Sequence, residues 1–210
     1  FQPFQSDWTL SNYTFVLTSD GMGNAFLNSV LTTIPSTVIP ITIAAFAAYG
    51  IAWMDFWGRR AFFVVVVGLM VVPLQMSLLP LFRLYNNVAL NGTWPGIWLA
   101  HTGFGLPLAT YLLYGYISTI PRDLIEAAEV DGTTPMTKFI YLVVPLSVPA
   151  IASFAIFQFL WVWNDLLVAL VFLGTNRRVA LVTTRLSEMV GSRGQDWHVL
   201  TSGAFLTMII

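Results

Sequence analysis

The sequence predicts an all-α, polytopic membrane bundle, and three observations carry that prediction. Of 210 residues, 57% are apolar and only 9% are charged, with a mean hydropathy of +0.75. A water-soluble domain averages about 25% charged residues, so this chain has too little polar surface to be wetted on all sides. Several apolar segments reach the roughly 20 residues that a helix needs to cross the hydrocarbon core. Finally, runs such as AFFVVVVGLMVV (61–72) and FAIFQFLWVW (154–163) lack the alternation of a membrane β-barrel strand.

Taken in order, residues 1–25 form a polar lead-in with Asp7 and Asp20. Apolar spans are expected over about 26–50, 61–84 and 95–119, followed by a long one over 139–173. A fifth begins near His198 and is still running at Ile210; with Phe1 rather than Met at the start, the chain reads as cut at both ends. Prolines 35, 40, 73, 80, 107, 145 and 149 fall inside these segments. Each removes a helix hydrogen bond, so they are expected to kink spans whose freed carbonyls neighbouring helices can satisfy. Ala44 and Ala48 make a small-xxx-small pair for close helix approach. The connections are 53–60, 85–96, 120–138 and 174–197.

Composition also excludes classes. Net charge is −1 and Lys138 is the sole lysine, which leaves no basic face for nucleic acid. Without cysteine there can be no disulfide, thiolate metal site or cysteine nucleophile. His101 and His198 have no ligands spaced around them, so neither a metal site nor a catalytic constellation is expected. Positive charge in short loops normally marks the cytoplasmic side. Here one side would hold Arg59, Arg60, Arg122 and Lys138, the other Arg83, Arg177, Arg178, Arg185 and Arg193, so the count does not orient the chain.

The stretch PRDLIEAAEVDGTTPMTKFIYLVVPLSVP (121–149) carries more. Pro121 suits a first helical position, and Asp123 puts negative charge near the positive end of the helix. Arg122 and Glu126 can pair at four-residue spacing. Asp131-Gly132 should end that helix in a left-handed residue. Thr134-Pro135 should start the next, threonine capping and proline filling the first turn. The first helix is too short to span and should lie across the end of the bundle.

The pattern Glu126-Ala127-Ala128, three residues, Gly132, nine residues, Leu142-x-Val144-Pro145 resembles the EAA signature of permease subunits of binding-protein-dependent ABC importers. It departs only in Leu142 for isoleucine and Val144 for leucine. Asp131-Gly132 and Phe139…Pro145…Pro149 are similar to the carbohydrate branch, and residues 181–209 most resemble α-glucoside permeases. The Asn28-Ser29 pair and the run Trp161–Asp165 are of the same type.

The resemblance implies a type I ABC importer permease domain over 1–210, here about five of six core helices. It implies a cytoplasmic coupling loop at 120–138 and an external loop at 174–197, in a bacterial or archaeal cell membrane. It further implies a transport subunit rather than an enzyme, without a cofactor of its own. ATP is expected on separate cytoplasmic ATPase subunits that grip Glu126, Ala127, Ala128, Asp131, Gly132 and Pro145. A second permease, an external sugar-binding protein, sugar and lipid complete the expected partners. No P-loop motif GxxxxGK[ST] occurs in the chain.

Asp165, after Asn164, is the carboxylate expected deepest in a span, and it must face protein or water. The pair is expected either to line the substrate path or gate, or to bond another helix. Val179–Val190 should form an amphipathic helix. Gly191, Ser192, Arg193, Gly194 and Gln195 read as a flexible tip; by the resemblance, the tip is expected to contact the binding protein. His101, Gln75 and Gln158 are expected in packing hydrogen bonds. Trp94, Trp98, Trp161, Trp163 and Trp197 are expected mostly as interface anchors, with one or two free to stack on sugar. The competing reading is an ion-coupled secondary transporter of small polar solutes, for which Asp165 alone would be thin coupling machinery.

Overall fold

The computed structural model describes residues 9–18, 21–174, 176–192 and 197–208, and all regular structure among them is helical. A short helix, α1 (Ser11–Thr18), precedes α2 (Met22–Trp53). Then come α3 (Arg59–Gly68) with a 3-10 turn to Val71, α4 (Leu74–Asn87) and α5 (Trp94–Ile117). The loop after α5 carries α6 (Arg122–Val130) and leads into α7 (Pro135–Lys138). A π turn (Phe139–Val143) joins α7 to α8 (Val144–Trp163); α9 (Leu167–Phe172), α10 (Val182–Ser192) and α11 (Trp197–Thr207) complete the order.

Two continuous helices are long and apolar enough to cross a membrane, Met22–Trp53 and Pro135–Trp163. Two of the expected spans need correction. Residues 61–84 are not one rod: the chain bends by 103° between the helices 59–71 and 74–87. Val72 and Pro73 are extended there, because Pro73 cannot donate to the preceding turn and pushes its neighbour out of the helical region. The long segment 139–173 also breaks. Helix α8 stops at Trp163, and residues 164–166 separate it from α9.

The third expected span, α5, has the length at 24 residues but does not reach the same apolar threshold. Its glycines and its buried His101, Thr102 and Thr110 explain the difference, for this helix is held by protein on several sides. Helices α2 and α5 run in the same direction and make the most extensive helix pair. Ala44 and Ala48 are fully buried with Ala109, Leu113 and Ile117 in one cluster, as small residues at a close helix contact should be. Helix α8 returns antiparallel across both.

One residue knots the three together. Gln158 of α8 donates from Nε2 to the Ser36 carbonyl of α2 at 3.2 Å. Its amide rests on Gly105 of α5, where a Cβ would fall 2.7 Å from Nε2. Gln158 thus makes the packing bond expected of it, and a side chain at Gly105 would have to displace its amide. Gln75, in contrast, is exposed, so its expected packing bond is not found. Outward from the bundle, α2 presents Leu27, Leu31, Ile34 and Val38, the apolar face that lipid or another membrane chain requires.

Candidate functional site

The loop between α5 and α8 builds as its local chemistry dictates. Pro121 sits in extended conformation as the cap of α6, one position before its expected place, and Asp123 lies in the first turn. Arg122 Nε donates to Glu126 Oε1 at 2.6 Å on the exposed face. Ile125 is the one buried residue of α6, packing with Tyr49, Ile117, Ile120 and Phe139. Anchored by that single side chain, α6 lies at the end of the bundle and shows Leu124 and an 88% exposed Val130 outward.

Its C-terminus closes in a left-handed turn. The Asp131 amide bonds Ala127 O at 3.1 Å, and Gly132, at φ +72°, bonds Glu129 O at 3.0 Å. Thr133 adds both its amide and its hydroxyl to Ala128 O, at 3.1 and 2.6 Å. Nothing stands within 4 Å of a Cβ built at Gly132, so the glycine is required by backbone conformation alone. Thr134 then caps α7, accepting from the Thr137 amide at 3.2 Å, with Pro135 in the first turn.

Three contacts that spacing alone did not single out hold this loop, two to the bundle and one within itself. Tyr49 of α2 donates its hydroxyl to the Pro135 carbonyl at 3.1 Å. Phe139 stacks on Phe46 of α2 with ring centroids 4.3 Å apart. Lys138, its side chain 8% exposed, meets Glu129 Oε1 at 2.6 Å. The one available signal was that the sole lysine is nine residues from Glu129; without the turn geometry, that spacing matches no helical pairing rule. Pro145 lies two residues beyond the π turn, whose wide hydrogen bond runs from the Val144 amide to Phe139 O. The π turn supplies the slack that a proline needs against the preceding carbonyl.

At the opposite end of α8 lies the second candidate region. Asp165 is not inside a continuous span. It sits in the break, and its carboxylate caps α9: Oδ1 accepts from the Val168 amide at 3.3 Å, Oδ2 from Ala169 at 3.0 Å. The Thr183 hydroxyl donates to the Asp165 carbonyl at 2.7 Å. Asn164 turns back on its own helix, donating to Leu160 O at 2.8 Å. His101 of α5 places Nε2 3.9 Å from Asp165 Oδ2. That acidic neighbour from another helix could not be read from α5 alone. The imidazole is fully buried, edge-on to Trp161. Neither ring nitrogen has a hydrogen-bond partner among the described residues, contrary to the packing bond expected.

The segment leading to α10 is stitched to the bundle. Asn28 donates to the carbonyls of Arg178 and Ala180, both at 3.0 Å, and the Val182 amide donates to Ser29 Oγ at 2.9 Å. Helix α10 starts at Val182 rather than Val179 and carries its backbone on through Gly191 and Ser192. Of the expected tip, Arg193, Gly194 and Gln195 lie outside the described residues, as do the side chains of Gly191 and Ser192.

Two of the tryptophans expected as interface anchors also bond within the bundle. Trp98 Nε1 donates to Leu31 O at 3.0 Å and Trp163 Nε1 to Thr207 O at 3.3 Å. Trp161 lines a cleft of about 550 Å³ beside the bend at Pro73, with Tyr85, Ala100, Gly103 and Phe104. Trp197 remains exposed.

Comparison with known proteins agrees with this architecture. Residues 40–210 match the family described as "Binding-protein-dependent transport system inner membrane component". The chain is 62% identical over 201 residues to the "Osmoprotective compounds uptake permease protein GgtD" of Synechocystis sp., covering 96% of this chain and 67% of that one. It is 57% identical over 208 residues to the "Alpha-glucoside transport system permease protein AglG" of Rhizobium meliloti, covering 97% and 55% respectively. It therefore spans about two thirds of one relative's length and little more than half of the other's. A crystal structure of a bacterial ABC transporter involved in the import of the acidic polysaccharide alginate superposes with TM-score 0.80 at 20% identity. The match covers 97% of this chain and 75% of that one, a likeness of fold.

Proposed function

The chain belongs to the family of binding-protein-dependent transport system inner membrane components, and from that premise we propose that it is one of two permease subunits of an ATP-driven sugar importer. The observation that carries the proposal is α6, a short helix across the bundle end that buries Ile125 alone and is closed by the positive-φ Gly132. Its outward face, with Leu124, Glu126, Ala127 and Val130, is the surface offered to a cytoplasmic ATPase subunit. ATP is bound and hydrolysed by that partner, and this chain does no chemistry. Closure of the ATPases displaces α6, and the ties to Tyr49, Phe139 and Lys138 pass the movement to α2 and α8.

The substrate class is α-glucosides. That reading rests on the similarity to AglG, with GgtD extending it to osmoprotective compounds. Asn164 and Asp165 act as a gate rather than a direct sugar ligand. Both are already engaged by main chain, and they stand at the one break in an otherwise continuous helix. Asn28 and Ser29 hold Arg178, Ala180 and Val182 at the start of α10, and Gly191–Gln195, at and beyond its end in the sequence, is our candidate contact for the sugar-binding protein.

The test is reconstitution of this subunit with its second permease, ATPase and binding protein in vesicles. Uptake of labelled maltose, sucrose and trehalose is then measured with and without ATP. Uptake should need ATP and the binding protein and be indifferent to proton and sodium ionophores. Uptake collapsed by an ionophore while ATP is supplied would instead support the ion-coupled alternative.

A further inference from the structure

We infer that the Glu129–Lys138 ion pair is the strut that makes α6 and the helix 135–163 move as one body, with Lys138 as a positioning residue for energy coupling. The inference rests on the proposed role of α6 and goes beyond it by naming the element that transmits its motion.

Between α6 and α7 stand only Asp131–Thr134, and the turn they form has one left-handed glycine. A turn of this kind is a natural hinge, because rotation at a few terminal residues can swing a helix that is otherwise lightly attached. Helix α6 is lightly attached, burying Ile125 alone. Across the turn, Lys138 Nζ reaches Glu129 Oε1 at 2.6 Å. Glu129 is on the last turn of α6 and Lys138 at the end of α7, so the bond closes a loop around the hinge. It spans nine residues, whereas the ion pair Arg122–Glu126 stays within α6 and stiffens nothing beyond it.

The ammonium is unevenly placed. Lys138 is 8% exposed while Glu129 is 57% exposed. A buried ammonium is strongly driven to keep a carboxylate partner, since without one its charge is left desolvated. Opening the hinge therefore carries a penalty that a pair of fully exposed side chains would not impose. The Thr133 hydroxyl on Ala128 O and the Tyr49 hydroxyl on Pro135 O brace the same turn from either side. Neither crosses from α6 to α7 as the ion pair does. Lys138 also adjoins Phe139, stacked on Phe46, so whatever moves Lys138 moves the contact between α2 and the α8 helix.

The experiment uses the assembled transporter in vesicles, with spin labels at Asp123→Cys on α6 and Ser153→Cys on α8; the chain has no cysteine to interfere. In the otherwise unaltered protein the distance between labels should be the same, and equally narrow, without nucleotide and with ATP bound. In Lys138→Met and in Glu129→Gln it should broaden or shift with ATP. In both, maltose uptake should fall at least tenfold while the ATPase subunit still copurifies and hydrolyses ATP. Lys138→Arg and the exchange of Glu129→Lys with Lys138→Glu should restore the narrow distance and most of the uptake. If Lys138→Met fails to insert, Glu129→Gln and the exchange carry the test, since Glu129 is largely in solvent. A distance unaffected by ATP in the single variants, with uptake at the normal level, would overturn the strut. A label at Asp123→Cys that is not immobilised when the ATPase subunit is added would overturn the role of α6 itself, a different failure.

Discussion

Gly132 stands at φ +72° with open space where a side chain would begin. A Cβ there meets nothing, so what a valine must overcome is a backbone conformation that β-branched residues avoid, at a cost of about 1–3 kcal/mol. That is enough to open the turn without unfolding a membrane bundle. Gly132→Val should therefore insert at the normal level and lose at least nine tenths of sugar uptake. Gly132→Asn should keep most of it, since asparagine tolerates the left-handed region. Membrane content by blotting and vesicle uptake decide the matter. Asp165 makes the opposite case, where the side chain matters and the backbone is ordinary. Asp165→Asn retains an oxygen to cap α9 and should change thermal stability by a few tenths of a kcal/mol at most, while Asp165→Ala should cost about 1 kcal/mol. Uptake by Asp165→Ala at the normal rate would remove Asp165 from any gate.

Among the elements, the π turn before Pro145 is the one whose removal can be foreseen. Replacing proline by alanine restores an amide donor and lets residues 139–143 relax to an α turn. One residue of register rotates everything before it by about 100° relative to α8. Lys138 and Phe139 would then leave Glu129 and Phe46. Pro145→Ala should melt no lower than the parent, or higher, yet transport poorly; a melt combined with uptake measurement separates the two effects. The elements also show what was legible in sequence. The turn at Asp131–Thr134, the Arg122–Glu126 pair and the Thr134 cap followed from short-range rules, because every partner lies within a few residues. The place of the bend followed too, since Pro73 is among the prolines expected to kink a span, but its 103° did not, nor did the break at Asn164. Apolarity counts register the length of a lipid-compatible segment but not the direction of its axis. Tyr49 and Lys138 were silent for a related reason: their partners are set by the fold, Pro135 lying 86 residues from Tyr49. His101 and Asp165 met only when two antiparallel helices were in place.

For the molecule as a whole, orientation is the first quantity to establish, because the arginine count gave none. The structure shows part of the reason: Arg59, Arg122, Lys138 and Arg185 all have carboxylate partners within their own region. Thr133 and Ser192 belong to opposite ends of the bundle, since the helix from Pro135 to Trp163 lies between them. In intact cells an impermeant thiol reagent should label Ser192→Cys and spare Thr133→Cys; the reverse pattern would invert the topology. The knot at Gln158 then has a mechanical consequence. It bonds α8 to α2 and rests on α5 at a position 20 residues from Lys138 but only 5 from Trp163. At about 1.5 Å of rise per residue those are arms of about 30 Å and about 8 Å. The helix is then a lever with its fulcrum near the Trp163 end. On the roles proposed above, a stroke delivered at α6 would reach the Asn164 break reduced about fourfold in distance and multiplied about fourfold in force, the gearing suited to prising a gate rather than sweeping it.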